Sequence, residues 1–232
     1  MNTTEQPVAI VTGASSGIGL GITQALLDRG WNVVGTSRTI SKSRDLKPSP
    51  ELILVDGEAS KKQTATEVVD AAVTHFGRID LLVNDAGIFI PKRFTEYTEE
   101  DFHLVMNTNV ASYFYMTQQV IPTMKKQHSG HVVNISAAVA DQPSGAAPAL
   151  LAVLSKLALE YAADNIRFNA VSPGDVNTPM HANEDHSALA RFHPLGRIAE
   201  ISDVVDAVLY LQNATFVTGE NIRVDGGFHA GR

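Results

Sequence analysis

The chain of 232 residues contains no cysteine. Disulfide scaffolding, thiolate metal ligation and thiol nucleophiles are therefore excluded. Positive charge is also scarce, with 18 Lys and Arg against 25 Asp and Glu for a formal charge of −7. A nucleic-acid surface needs clustered cations, and this balance argues against such a partner. No apolar run approaches the roughly 18 residues of a membrane span, and the polar start from Met1 to Pro7 lacks the basic and apolar parts of a signal peptide. A cytoplasmic protein without a membrane partner is expected. The 44% of hydrophobic residues suffices for one large domain, residues 1–232.

Short Val-, Ile- and Leu-rich runs at residues 7–12, 31–36, 52–55, 80–84, 130–136, 166–172 and 221–224 read as buried parallel strands. Between most of them, residues 17–29, 61–76, 99–127, about 148–163 and 200–211 carry apolar side chains at helical spacing. Strand and helix alternating in this way predict an α/β fold, a Rossmann-type doubly wound sheet of seven parallel strands with helices on both faces. Residues 39–50 read as a curtailed helix or loop, and residues 173–194, the longest irregular stretch, as a lid.

The first strand runs directly into Thr12-Gly13-Ala14-Ser15-Ser16-Gly17-Ile18-Gly19 and then a helix. In that context the glycines have distinct duties: Gly13 permits a tight turn, Gly17 lets backbone approach a pyrophosphate, and Gly19 allows close helix-strand packing. The helix start adds unpaired N–H groups and a positive dipole end for phosphates. Gly13, Ser15, Ser16, Gly17, Ile18 and Gly19 are the first candidate cofactor residues.

This pattern resembles the short-chain dehydrogenase/reductase family, and the resemblance extends over nearly the whole chain. Asp56 stands where the family's aspartate contacts adenine, and Asn84-Asp85-Ala86-Gly87 resembles its Asn-Asn-Ala-Gly signature with Asp in second place. Asn109 matches the catalytic asparagine, and Ser155-Lys156 the end of the Tyr-x-x-x-Lys motif. The run from Pro173 through Gly174, Asp175, Val176, Asn177 and Thr178 to Met180 resembles the segment over the nicotinamide carboxamide, and Val224-Asp225-Gly226-Gly227 the C-terminal strand end. The resemblance implies nicotinamide binding by Asp56, Asn84, Ala86, Gly87, Lys156, Pro173, Gly174, Val176 and Thr178. At the end of the second strand an acidic residue would accept from both ribose hydroxyls, but Thr36-Ser37-Arg38 stands there. Arg38 can fork onto a 2′-phosphate, so NADP(H) is expected over NAD(H).

The family's proton-handling residues are altered. Four residues before Lys156 stands Ala152, and residues 144–159 hold no tyrosine. Where the resemblance expects the catalytic serine, Asn134-Ile135-Ser136-Ala137 has alanine, which leaves Ser136 one residue out of register. Alternate strand residues face opposite ways, so Ser136 serves only if the strand has ended or bulged there. Tyr161 lies about 140° around the helix from Lys156, whereas Tyr113 shares the face of Asn109 at i+4. Asn109, Ser136 and Lys156 are the candidate catalytic residues. The helix after Lys156 is about nine residues shorter than the resemblance implies, roughly 13 Å. That predicts a truncated or rearranged version of the homo-oligomer interface common in the family. His181, Glu184, Asp185, His186 and His193 crowd the lid without the i, i+4 spacing of a helical metal pair, and no metal is expected. Two functions stay open: an NADP(H)-dependent oxidoreductase acting on a small carbonyl or alcohol with a non-tyrosine proton source, or a catalytically silent NADP(H)-binding sensor or assembly subunit.

Overall fold

The computed structural model describes residues 6–138 and 150–230. Seven strands, β1 (Val8–Thr12), β2 (Asn32–Ser37), β3 (Leu52–Asp56), β4 (Leu81–Asn84), β5 (Gly130–Ile135), β6 (Ile166–Pro173) and β7 (Asn221–Val224), form one parallel sheet in the order β3-β2-β1-β4-β5-β6-β7. The central strands are apolar at nearly every position because helices cover both faces. On one face Ile10, Leu82, Val132 and Phe168 pack with Val68, Met116 and Val120 from the helices α2 (Lys62–Phe76) and α4 (Ser112–Gln127), and with Leu154 from α5 (Leu150–Glu160). On the other, Val11, Val33, Val83 and Val171 meet Ile22 and Leu26 of α1 (Gly17–Leu27) and Val204 and Val208 of α7 (Ile201–Asn213).

The order reverses between β1, which pairs with β2 on one side, and β4 on the other. In open α/β sheets such a switch leaves a crevice at the carboxyl ends of the strands, where ligands bind. Every candidate glycine and the segment from Asn84 to Gly87 lie at that edge.

Three helical expectations change in detail. Residues 39–50 contain only a single 3₁₀ turn, Ile40–Lys42. The long helix foreseen over residues 99–127 is interrupted: α3 (Glu99–Val105) passes through a π-helical segment, Met106–Ala111, into α4. Such widened turns favour functional positions, and Asn109 sits in this one. Within the expected lid are a 3₁₀ turn, Pro179–His181, and the short helix α6 (His186–Ala190), started by Asp185 accepting from the Ser187 and Ala188 N–H groups.

Candidate nucleotide site at the carboxyl edge of the sheet

Gly13 and Gly17 both adopt positive φ, +71° and +55°, which an L side chain resists. Gly19 is required for space instead: an added Cβ would lie 2.6 Å from the Gly13 carbonyl oxygen and 2.6 Å from Asp85 Oδ2. Ser16 stands at the N-cap of α1 with extended backbone, and its side chain caps nothing. The first turn of α1 therefore keeps N–H groups and a positive dipole end facing the crevice. Ser15 and Ile18 are part of the same turn and are half-buried.

Contacts tie the other candidates to this loop. Thr12 Oγ1 accepts from the N–H groups of Asp85 and Ala86, each at 3.0 Å, which fixes the start of the β4 loop beside Gly13. Asn109 locks the same loop: its Oδ1 accepts from Ile88 N and its Nδ2 donates to Ile88 O, both at 2.9 Å. Gly87, exposed, lies between them, with room for a Cβ only 3.5 Å from Asn109 Oδ1. On the far side of the crevice, a Cβ added to Gly17 would meet Thr178 Cβ and Cγ2 at 3.6 Å. Thr178 thus covers the glycine loop.

The segment carrying Thr178 is held at several points. Pro173 ends β6, Gly174 N donates to Val224 O, Val176 is buried and bridges to Ala199, and Asn177 N donates to Ala199 O. His193, 4% exposed, links this segment to the C-terminal strand end: its Nδ1 lies 2.7 Å from Asp225 O and its Nε2 3.0 Å from Asp175 Oδ2. The Asp175 N–H also donates to Nε2, at 3.4 Å. Glycine makes room, since a Cβ on Gly174 would come within 2.5 Å of His193 Cε1. The sequence offered His193 only as one of a crowd; its burial was not legible there. Among the described residues no group of three metal-binding side chains occurs, and His181 instead pairs with Glu184 at 3.1 Å.

At the outer end, Ser37 and Asp56 are register partners on β2 and β3. Asp56 accepts from the hydroxyl and the N–H of Ser41, and those bonds, the hydroxyl first, hold its carboxyl below the usual range. Arg38 next to them is exposed and makes no hydrogen bond or ion pair with another described residue. It is free to meet an anion.

Asn84 bonds to β5 and approaches α4. Its Nδ2 donates to Asn134 Oδ1 at 3.1 Å and lies 3.3 Å from Thr117 Oγ1. Its own Oδ1, Tyr113 Oη and Ser136 Oγ are the buried side-chain polar atoms without partners among the described residues. Burial pushes the Tyr113 phenol up, so it stays protonated. β5 ends at Ile135, yet Ser136 N still donates to Val171 O at 2.8 Å. Ser136 thereby keeps the parity of Asn134, on the face of α4.

Lys156 departs from expectation. Its side chain is 76% exposed and its Nζ lies 3.8 Å from Glu160. α5 ends at Glu160, Tyr161 O accepts from Ile166 N at the start of β6, and Lys125 binds Asp164 beside them. Lys156 is thus about 7 Å along the helix from the amino-terminal edge of the sheet. The eight residues of β6 span roughly 26 Å to the opposite edge. Among the described residues its Nζ pairs with Glu160 and with no residue of the crevice. Ala152 belongs to α5, and the side chains preceding Leu154 on that helix are outside the described residues.

Among the described residues, no helix is long and apolar enough to cross a membrane. A family model described as enoyl-(acyl carrier protein) reductase matches residues 13–229. A putative ketoacyl reductase of the granaticin polyketide synthase of Streptomyces violaceoruber is 34% identical over 241 residues, covering 97% of each chain. The 3-oxoacyl-[acyl-carrier-protein] reductase of Thermotoga maritima is 34% identical over 96% of this chain and 98% of its own. Among solved structures, 3-ketoacyl-(acyl-carrier-protein) reductase from Brucella melitensis complexed with NADH superposes with a TM-score of 0.86 at 26% identity, covering 97% of this chain and 98% of that one. ElxO with NADP bound reaches 0.89 at 24% identity over 97% and 99%, a likeness of fold.

Proposed function

The chain belongs to the short-chain dehydrogenase/reductase family, and from that premise we propose that it binds NADP(H) in the crevice between β1 and β4 and reduces a small carbonyl compound. The observation that carries the reading is the cradle itself: positive-φ Gly13 and Gly17, the uncapped start of α1, and Thr178 packed over Gly17. Such a cradle suits a pyrophosphate. Arg38, exposed and unpaired with any described residue, supports a 2′-phosphate and hence NADP(H). When bound, the dihydronicotinamide supplies the hydride.

The chain's own residues then have three tasks. Pro173, Gly174, Val176 and Thr178 form the cover, fixed from below by His193. Asn109 positions the loop of Ala86 and Gly87 through Ile88. Ser136 Oγ, without a partner among the described residues, is the hydroxyl nearest the motif position, and it receives the carbonyl oxygen only if the end of β5 turns it out of the strand parity it keeps with Asn134. The proton comes from water and not from the family's usual tyrosine, which no residue of 144–159 can supply. Losing a positioned acid costs about 10²–10⁴-fold, while near-attack geometry alone still lowers the barrier. Slow turnover follows. Because the named relatives are ketoacyl reductases, 3-oxoacyl thioesters head the substrate panel. A homo-oligomer with a reduced helix-helix interface accompanies this reading.

One observation favours a second reading. Lys156 exposed beside Glu160 and Ala137 in place of serine fit a silent NADP(H)-binding subunit. Following NADPH absorbance with 3-oxoacyl thioesters, aldehydes, diketones and quinones separates the two. Turnover above background that Ser136→Ala abolishes supports the enzyme; tight NADPH binding with no turnover on any of them supports the silent subunit.

A further inference from the structure

We propose that Asp85 must shed its charge before a dinucleotide pyrophosphate can settle on the glycine loop, so that binding takes up a proton. The proposal rests on the nucleotide-binding reading above and adds a regulation to that site. It starts from placement. Asp85 Oδ2 lies against the floor of the loop, where a Cβ added to Gly13 would be 3.0 Å from it and one added to Gly19 2.6 Å. The Gly19 N–H is near enough to the Asp85 carboxyl to favour its charged form. Gly19 is the third residue of α1, so this carboxylate already occupies part of the positive helix end that meets phosphate.

No cation offsets the carboxyl. Thr12 and the glycines packed on it are uncharged, and no charged side chain among the described residues acts on it. Burial alone pushes Asp85 up to about 7, against the pull of the nearby Gly19 N–H. A pyrophosphate arriving at the same helix end brings like charge, which favours the neutral acid still further. At neutral pH the free protein is therefore divided between the two forms, and ligand selects one of them. The family signature resembled here has asparagine in this place, which would leave the site neutral at every pH.

ADP-ribose is the suitable probe, because it carries the pyrophosphate without a 2′-phosphate that titrates on its own. Its dissociation constant for the full chain should rise about tenfold between about pH 6 and about pH 8. Asp85→Asn should flatten that dependence and bind more tightly at the alkaline end. Calorimetry of the wild type in two buffers of different ionisation enthalpy should read net proton uptake near neutral pH. An affinity that does not change with pH, or the same slope in Asp85→Asn, overturns the proposal. If neither ADP-ribose nor NADPH binds at any pH, the nucleotide-binding reading falls and takes this one with it. Should Asp85→Asn fail to fold, carbon-13 NMR of the wild-type Asp85 carboxyl decides: it must move to the neutral-acid shift on adding ADP-ribose, and a carboxylate persisting in the complex contradicts the proposal.

Discussion

The two edges of the sheet solve the problem of buried polar groups in opposite ways. At the amino-terminal edge, His131 is 1% exposed and fully engaged: Nδ1 lies 2.8 Å from Gln212 Oε1 and Nε2 3.0 Å from Asn169 Nδ2. Arg167 there donates to the carbonyls of Leu211, Gln212, Ala214 and Val217, closing the open end of α7. Burial, and then the Arg167 charge, push His131 down to about 3, so the ring is neutral. At the carboxyl edge, Asp85 lies against the glycine loop with no charged partner among the described residues, and Asn84 Oδ1, Tyr113 Oη and Ser136 Oγ are buried without partners among them. Among the described residues, one edge is completed by the chain and the other keeps unpartnered polar groups.

The largest effect expected from breaking this contrast is at Gly19. Gly19→Val places side-chain atoms onto the Gly13 carbonyl and Asp85, and should weaken NADPH on the order of a hundredfold or more, read by fluorescence titration. The completed edge responds in stability instead. His131→Leu removes the partner of Gln212 Oε1 and one of the two partners of Asn169 Nδ2 beside a half-buried guanidinium, and should cost about 3 kcal/mol in denaturant unfolding, with nucleotide affinity unchanged. A matching loss of affinity would mean that the edges are not independent.

The two titrating groups also act in opposite directions. His131 is lowered on folding, so its share of stability is present above its ordinary range and is lost as pH falls from about 6.5 toward 3. Asp85 is raised, so its share is present in acid and is lost as pH rises toward and through about 7. Asp85→Asn should therefore melt higher than wild type at about pH 8, by up to a few kcal/mol of unfolding free energy, with the gap shrinking steadily on acidification. A gap that widens in acid would reverse the sign. The smallest expected change is Tyr113→Phe, within about 1 kcal/mol of wild type, because the hydroxyl removed has no hydrogen-bond partner among the described residues. A large loss of stability would reveal a bond that the unpartnered Oη denies.

Much of this was legible in sequence where local pattern and tertiary role coincide. The seven apolar runs become the seven strands because strands covered on both faces need apolar residues throughout, and Gly13, Gly17 and Gly19 announce their turn by spacing. Lys156 matches its motif in sequence, and its height was not legible there. A motif fixes a residue's neighbours in sequence, but its height above the sheet depends on how much helix remains before the next strand, and here only about one turn does. Asp85 was visible as a departure, but not its burial under the loop, which depends on β1, β4 and α1 meeting. His193 likewise depends on Gly174 and Gly226 coming together from distant positions.

Hydrogen exchange with and without saturating NADPH tests the central claim most directly. Protection confined to residues 13–19, 37–41, 85–88 and 173–178, with none around His131 or Lys156, is the predicted result. No protection at the glycine loop, or protection centred on the amino-terminal edge, would contradict a dinucleotide site built at the carboxyl ends of the strands.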